Sequence, residues 1–511
     1  MISSQLPEPR GSTFLPEEMP NNQAVVCLTP VADLRSRVVR GGIWVFALRI
    51  TDRLFQLIRI IILARILAPA DFGLFGIALL AMSALETLSQ TGCGAALIQK
   101  KEDTKPYLDT AWTVQALRGI VLALIAFVIA PYVAAFFDAP EAKPVLQVVG
   151  LSMLFQGCTN IGVLYFQKEL EFQKQFVYMF SGTLADISVA ITAALLLRNV
   201  WALAIGLLAG NFMRMVVSYF VHPYRPRLGF NPQQFKELFG FGKWIFASTI
   251  LIFLMSQGDH VLVGKVLGLT ALGFYQLAYR LSNMPATEIT SVLSQVTFPA
   301  YSKLQDDLPR LGNAYLRILQ LAAFLSIPLA AGIFIMAPEF TRIFLGEKWM
   351  PMVPAMQALC IFGVIRSVNG TMGSFFQGIG KPYVNTIASG IQLVLLAIII
   401  FPLAIRWYIL GVAIAVIAPN ALALVYLGKN LLSVTSYRLT YVAKFLLFPI
   451  AATAAMSFVM LSVNAYGGKT LGKFFISIPL GIGTYLGTMF LIDKISNYSL
   501  RNNIVSALKA L

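Results

Sequence analysis

Long apolar stretches alternate with short polar connections along almost the whole chain. Most stretches are about 20 residues long, the length that an α-helix needs to cross the hydrocarbon core of a bilayer. The pattern predicts about fourteen membrane-spanning helices, at residues 43–65, 72–97, 111–135, 145–166, 176–197, 201–221, 243–264, 273–299, 316–337, 353–376, 383–404, 408–428, 441–463 and 474–492. We therefore expect an all-α polytopic membrane protein without a large soluble domain.

Composition leads to the same fold class. Hydrophobic residues make up 58% of the 511 residues and charged residues only 12%, whereas soluble domains are about 25% charged. So few charges cannot cover the surface of a soluble protein of this size. A secreted enzyme, a nucleic-acid-binding domain and a disordered hub are thereby excluded, and no nucleic-acid partner is expected.

The net charge of +16 is unevenly distributed over the connections. With the N-terminus in the cytoplasm, the cytoplasmic connections hold more than twice as many Lys and Arg residues as the opposite side, in agreement with the positive-inside rule. An even number of spans places both termini in the cytoplasm. Residues 1–40 are polar and rich in Pro, which predicts a disordered cytoplasmic tail.

The chain contains an internal repeat with a period of 200 residues. Residues 42–78 align without gaps with residues 242–278, and nine of the 37 positions are identical. Six spans fit into each period, so both halves enter the membrane in the same orientation and are related by an axis along the membrane normal. This predicts an N-terminal lobe at 41–240, a C-terminal lobe at 241–440, and two further helices with a cytoplasmic tail at 441–511.

The first span carries five polar side chains on one face: Arg49, Asp52, Arg53, Gln56 and Arg59. A charge at the bilayer centre costs at least about 2.5–3.5 kcal/mol, so this face cannot lie against lipid. One interpretation is a network of buried ion pairs in which Asp52 neutralises one arginine. The preferred interpretation is a wet cationic cavity, because three arginines outnumber one aspartate.

The seventh span is the repeat partner of the first and carries Asp259 and His260. A histidine beside a carboxylate can take up and release a proton, so the pair is a candidate for ion coupling. A hydrogen-bonded structural pair is the alternative. Arg214 and Glu288 also place charges inside the membrane, and the remaining candidates for the site are Glu86, Arg118, Asp186, Arg280 and Arg366. We take the arginines as candidate substrate ligands, and the acids with His260 as candidates for coupling or charge balance.

Sequence motifs for catalysis or nucleotide binding are not found. The chain has no phosphate-binding loop, no zinc-protease motif and no nucleophile elbow. The four cysteines form no CxxC pair, and only two histidines occur. We expect a protein that is not an enzyme and that holds neither a metal nor a cofactor.

The segment Leu63–Gly73, with the sequence LARILAPADFG, resembles the turn between the first two spans of Wzx-like polysaccharide flippases. The preceding Gly42-x-Trp44 and the following Gly94-x2-Leu97-Ile98-Gln99 and Thr110-Ala111-Trp112 are also similar to that family, notably to its colanic-acid and succinoglycan branch. The resemblance is strongest over residues 41–115. It implies the fold of the multidrug/oligosaccharidyl-lipid/polysaccharide (MOP) superfamily, with two six-helix lobes in a V around a cationic cavity.

The resemblance also implies a function. Such a protein moves undecaprenyl-pyrophosphate-linked sugar units from the inner to the outer leaflet of the bacterial inner membrane, for exopolysaccharide or lipopolysaccharide synthesis. Membrane lipids, a polysaccharide polymerase and a chain-length regulator are the implied partners. By similarity to lipid II flippases, Arg280 is the candidate ligand in the eighth span, whereas Asp52-Arg53 reverses the Arg-Asp order that those flippases have in the first.

Two other functions remain open at this stage. A drug or cation antiporter of the same superfamily would need acidic cavity residues, whereas the first span is mainly basic. A non-transporting membrane scaffold would use the same charges only to hold its helices together.

Overall fold

The computed structural model describes residues 51–89, 107–168, 171–232, 243–465 and 471–496. Long α-helices account for most of them, and we number these helices α1–α14 in chain order. The first seven are α1 (51–66), α2 (Pro69–Leu88), α3 (Leu108–Phe136), α4 (Ala142–Gly157), α5 (Phe172–Leu197), α6 (Trp201–Val221) and α7 (Lys243–Leu262). The others are α8 (Leu269–Lys303), α9 (Leu308–Phe340), α10 (Val353–Gly378), α11 and α12 (together Pro382–Thr435), α13 (Leu439–Ala465) and α14 (Leu471–Ser496).

Each of the fourteen helices overlaps one predicted span, so the predicted all-α fold is confirmed. Helices α11 and α12 separate at Trp407 and Tyr408, whose backbone is not helical. Nine helical segments among the described residues are long and apolar enough to cross a membrane, with α11 and α12 counted as one. The chain is therefore an integral membrane protein. The predicted tail at 1–40 and Arg49 lie outside the described residues.

The end of the fourth predicted span differs from the structure for an identifiable reason. The fourth span was expected to continue to residue 166, but α4 ends at Gly157 and short helical turns follow. The side chain of Asn160 accepts a hydrogen bond from the amide of Gly162 and starts the first of these turns. Asn favours such local bonds over a helix interior, so the apolar residues beyond it do not extend α4.

The helices form two packed groups. In the first, α3 packs on α4, α5 packs on α6, and α4 contacts both α2 and α6. In the second, α10 packs on α8, α9 and the α11–α12 pair, while α13 and α14 pack on each other and on α9. The two groups meet where α2 lies against α7 and α8.

Two glycines that are repeat partners face each other at this junction. A methyl group on Gly73 would lie 1.9 Å from the carbonyl oxygen of Leu269, and one on Gly273 would lie 2.0 Å from the carbonyl oxygen of Pro69. Residues 69 and 269 are themselves repeat partners, so the contact is reciprocal. A reciprocal contact is what a two-fold axis between the repeats requires, and only glycine permits backbones to approach this closely.

The turn between α1 and α2 is held by a segment of the second group. The side chain of Trp349 donates a hydrogen bond to the carbonyl of Ala64 at 2.9 Å, and Lys348 donates to the carbonyls of Leu67 and Arg65 at 2.6 and 3.0 Å. Arg65 in turn donates to the carbonyl of Phe344 at 2.8 Å. These bonds close the α1–α2 end of the molecule.

A second link at the same end involves the repeat partner of Arg65. Lys265 forms an ion pair with Asp138 at 2.6 Å, and its ammonium lies 5.5 Å from the ring centroid of Phe136. Each repeat partner thus reaches across to the other group of helices.

The segment after α6 lies against the start of α3. The hydroxyl of Tyr224 donates a hydrogen bond to Asp109, and the amide of Arg227 donates to the same carboxylate at 3.1 Å. Burial, together with the negative charge of Asp109, raises the pKa of the Tyr224 phenol above its ordinary value. The first part of the connection between the two groups of helices is therefore fixed to the first group.

The glycine contact generates a prediction about stability. Replacing Gly73 with Ala forces α2 and α8 apart, because the new methyl group meets backbone that cannot rotate away. We expect a loss of about 1–3 kcal/mol, as for other overpacked sites, seen as a lower thermal unfolding midpoint of the purified protein. Gly428→Ala is the matched control, since a methyl group there meets nothing within 4 Å. Equal midpoints for the two variants would contradict the prediction.

Candidate functional site

A cavity of about 610 Å³ lies between α1, α2, α7 and α8. Five of the predicted site residues line it: Arg53, Arg59, Glu86, His260 and Arg280. Its other polar lining comes largely from α7 and α8, which contribute Ser256, Gln257, Gln276, Asn283, Thr287 and Glu288. The polar face of the first span therefore faces an interior cavity.

The arginines of α1 are paired with acids from other helices. Arg59 forms an ion pair of 3.0 Å with Asp186 of α5, and Arg53 pairs with Glu288 of α8. Asp52, which was considered as the neutralising acid, instead accepts hydrogen bonds from Gln56 at 2.6 Å and from Thr183 at 2.9 Å. The ion-pair interpretation and the cavity interpretation of this face thus each describe part of the structure, because Arg53 and Arg59 are paired with acids and also line a cavity.

Arg280 differs from these two arginines. Its side chain is exposed to the cavity and donates a hydrogen bond of 2.8 Å to the side-chain oxygen of Gln56. Among the described residues, no carboxylate lies within ion-pair distance of it. Gln56 links Arg280 to the carboxylate of Asp52 through hydrogen bonds. The cavity therefore contains a cation that is available to an anionic ligand.

Arg118 and Arg366 are not among the residues that line the cavity. Arg118 donates hydrogen bonds to the hydroxyl of Ser89 at 2.9 Å and to the backbone carbonyl of Glu86 at 3.1 Å. It therefore satisfies the carboxyl end of α2, where a cation is favourable. Arg366 donates to the hydroxyl of Tyr279 at 3.0 Å and so contacts the cavity wall indirectly.

Asp259 and His260 belong to a buried network. Asp259 accepts a hydrogen bond from the hydroxyl of Tyr275 at 2.7 Å, and its other oxygen lies 2.9 Å from His260 Nδ1. The ring of His260 also packs edge-on against Tyr275 and Tyr279, with centroids 5.2 and 5.0 Å apart. His260 lines the cavity, whereas Asp259 lies behind it.

An apolar groove of about 510 Å³ lies beside the cavity. Its walls come mainly from α8, α9, α13 and α14, and Leu57 of α1 and Met356 of α10 complete the lining. Tyr485 of α14 donates a hydrogen bond of 2.8 Å to the carbonyl of Phe324, which attaches this helix to α9. Met284 lines both the groove and the cavity, so the apolar and the cationic spaces adjoin.

A model of the polysaccharide biosynthesis protein family matches residues 62–354, which is more than half of the chain. The chain belongs to this family. The lipopolysaccharide biosynthesis protein WzxC of Escherichia coli (strain K12) is 27% identical over 350 residues, covering 67% of this chain and 70% of WzxC. The family that the sequence resembles is thereby confirmed.

Two solved structures share the fold of this polysaccharide biosynthesis protein. The lipid II flippase MurJ in an inward closed conformation aligns with a TM-score of 0.70 at 17% identity, covering 89% of this chain and 99% of MurJ. An inward-facing multidrug resistance transporter of the MATE family aligns with a TM-score of 0.58 at 17% identity, covering 75% of this chain and 96% of the transporter. That transporter belongs to the MOP superfamily, so the predicted MOP-type fold is confirmed.

The sequence marks Glu288 of this polysaccharide biosynthesis protein as a charge inside the membrane, but neither Glu288 nor Asn283 was predicted as a site residue. Both follow Arg280 along α8, and the spacing of Gln276, Arg280, Asn283 and Thr287 places those four side chains on one helical face. This spacing groups Asn283 with Arg280 in the sequence alone. The pairing of Glu288 with Arg53 spans 235 residues and has no local signal.

The Arg59–Asp186 pair generates a second prediction. Asp186→Asn leaves the guanidinium of Arg59 without a compensating charge inside the membrane region. We expect a loss of about 3 kcal/mol or more, because a buried charge has lost its partner. The thermal midpoint of the purified variant measures this loss. Arg59→Gln combined with Asp186→Asn should recover part of it; a double variant no more stable than Asp186→Asn would argue against direct pairing.

Proposed function

We propose that this protein is a flippase for lipid-linked oligosaccharides. Its substrate would be a sugar unit joined through pyrophosphate to undecaprenol, moved from the inner to the outer leaflet of the bacterial inner membrane. The observation that carries the proposal is the cationic cavity adjoining an apolar groove. Such a substrate has the same two parts, an anionic headgroup and a long hydrocarbon tail.

The cavity suits the anionic part. Arginine presents a planar donor fork that binds phosphate oxygens bidentately, and such charge-assisted hydrogen bonds are strong away from bulk water. Arg280 has no ion-pair partner among the described residues, and Arg53 and Arg59 line the same cavity from α1. A cation antiporter would need the reverse polarity at this place.

The groove suits the hydrocarbon part. Its lining is almost wholly Leu, Ile, Met, Phe and Pro, and it adjoins the cavity at Met284. A tail in the groove would keep its contact with an apolar environment while the headgroup occupies the cavity. The two helices outside the repeat, α13 and α14, would thus serve to hold the lipid.

Transport would follow the alternating-access scheme of transporters that are built from parallel repeats. We propose that the lobes at 41–240 and 241–440 rock about the Gly73–Gly273 contact. The positive-inside rule would place both termini in the cytoplasm and the closed α1–α2 end at the outer face. A polysaccharide polymerase and a chain-length regulator would act on the product on that side.

Asp259 and His260 are proposed as the coupling pair. Asp259 and Tyr275 hold the His260 ring at the cavity wall. A histidine in such a place can take up a proton on one side of the membrane and release it on the other. A transport rate in His260→Ala that keeps the pH dependence of the wild type would exclude this role.

The proposed function predicts that Arg280→Ala strongly reduces export. We expect lipid-linked oligosaccharide to accumulate and surface polysaccharide to fall at least about tenfold, since one charge-assisted contact is worth about 1.5–3 kcal/mol. A deletion strain that carries the variant provides both measurements by lipid extraction and polysaccharide assay. Arg406→Ala is the control, because Arg406 is exposed and stacks on Trp407 outside the cavity.

Normal export by Arg280→Ala, with the variant present in the membrane, would contradict the proposal. Unchanged polysaccharide together with increased drug sensitivity of the deletion strain would favour an antiporter instead. Normal levels of lipid-linked oligosaccharide and of surface polysaccharide in the deletion strain would favour a scaffold.

The groove generates a separate prediction. Gly332 lines the groove, and a Cβ atom added there meets nothing within 4 Å. Gly332→Phe should therefore fill the groove without unfolding α9 and should reduce flipping of the lipid-linked unit at least severalfold. Gly390→Phe adds the same ring where space is also open but outside the groove. Equal transport by the two variants in reconstituted vesicles would show that the groove does not hold the lipid.

A further inference from the structure

The ion pair between Arg53 and Glu288 joins the two groups of helices. Arg53 lies on α1, which is fixed to α5 through Asp52–Thr183 and Arg59–Asp186. Glu288 lies on α8, which packs on α9 and α10. Any motion that separates α1 from α8 must break this pair.

The pair is accessible from the cavity. The side chains of Arg53 and Glu288 are 42% and 28% exposed, and both line the cavity. The carboxylate of Glu288 occupies donor positions of Arg53 that a phosphate group would also use. An anionic ligand and Glu288 are therefore competitors for the same guanidinium.

Arg53 and Arg280 lie close enough to act on one ligand. Both donate to the same acceptor, the side-chain oxygen of Gln56, at 3.5 and 2.8 Å. Glu288 holds Arg53, whereas no carboxylate of the described residues pairs with Arg280. A first negative charge can therefore be met by Arg280 while the Arg53–Glu288 pair remains intact.

We propose that Glu288 makes the cavity respond to the second negative charge of its ligand. A sugar joined to the lipid through one phosphate carries a single charge, and Arg280 satisfies it. A sugar joined through a diphosphate carries two charges, and the second competes with Glu288 for Arg53. Only the diphosphate-linked lipid then breaks the link between α1 and α8. This specificity role of Glu288 rests on the proposed function.

The exchange is balanced in charge. When the second phosphate binds Arg53, one anion replaces another on the same guanidinium, and Glu288 is released into a cavity to which it is already partly exposed. Its hydration there limits the cost of release. The gain comes from holding both phosphates of one molecule at once, which a monoanion cannot do.

The test uses the full-length protein, purified in nanodiscs, and two soluble probes. These are glucose joined to farnesol through a diphosphate and glucose joined to farnesol through a single phosphate. We expect Glu288→Gln to tighten binding of the diphosphate probe about tenfold, as the loss of a charged competitor should. Binding of the monophosphate probe should change by less than about twofold, because Arg280 alone meets it.

Three further variants make the test specific. Arg53→Gln should weaken binding of the diphosphate probe about tenfold and leave the monophosphate probe unaffected. Glu288→Asp keeps the charge and should remain near the wild type for both probes. Glu339→Gln removes an acid that does not line the cavity and should change neither affinity. If Glu288→Gln does not accumulate, Arg53→Gln and Glu288→Asp still decide the question.

Equal tightening of both probes by Glu288→Gln would overturn the proposal, because Glu288 would then be a general repulsive charge. Unchanged affinities in both Glu288→Gln and Arg53→Gln would overturn it as well, since no competition would exist. A wild-type protein that binds neither probe would contradict the proposed function itself. That pattern is distinct from selective failure of the Glu288 variant.

Discussion

The cost of placing a guanidinium group in hydrocarbon determines the position of α1. An uncompensated arginine at membrane depth costs several kcal/mol, so the polar face of α1 must contact acids or water. The structure satisfies it with Asp186 from one group of helices and Glu288 from the other. Helix α1 therefore lies between the two groups, and the space around its polar face becomes the central cavity.

The turn that identified the family has a structural explanation at almost every position. Leu63, Ala64 and Leu67 are fully buried, and the carbonyl of Ala64 receives the indole of Trp349. Asp71 accepts a hydrogen bond from the amide of Ala68 and so caps the start of α2. Gly73 gives α2 its close approach to α8. The motif thus describes a junction between repeats and carries no information about the sugar.

How far the sequence predicts the structure depends on the range of each interaction. Span length and hydropathy are local, so all fourteen helices and the break near Trp407 follow from the pattern. The polar face of α1 is also local, since residues three and four apart share a helical face. The prediction that this face lines a cavity therefore needed no tertiary information.

Partners across the fold could not be predicted in the same way. The sequence places Asp52 beside Arg53, yet the carboxylates that pair with the arginines come from residues 186 and 288. Arg118 was predicted to be a substrate ligand because its charge lies inside a predicted span. In the structure it donates a hydrogen bond to the backbone carbonyl of Glu86 near the end of α2. The groove is also a product of packing, because α13 and α14 are uniformly apolar along the chain and only their position against α9 creates a concave surface.

The groove and the cavity adjoin each other, and this constrains how a ligand that occupies both can be moved. A headgroup in the cavity would contact groups on α1 and α8, which belong to different halves. A tail in the groove would contact mainly α8, α9, α13 and α14, which belong to one half, with Leu57 the contribution of α1. If the halves separate, the headgroup would have to exchange contacts, while the tail would keep all of its contacts except the one with Leu57. Charged contacts would then hold the headgroup, whose surroundings change, and hydrophobic contacts would hold the tail, whose surroundings stay nearly constant. The two parts of the ligand would meet at Met284, which borders both the cavity and the groove. Met284 lies on α8, a continuous helix that also forms the contact between the halves.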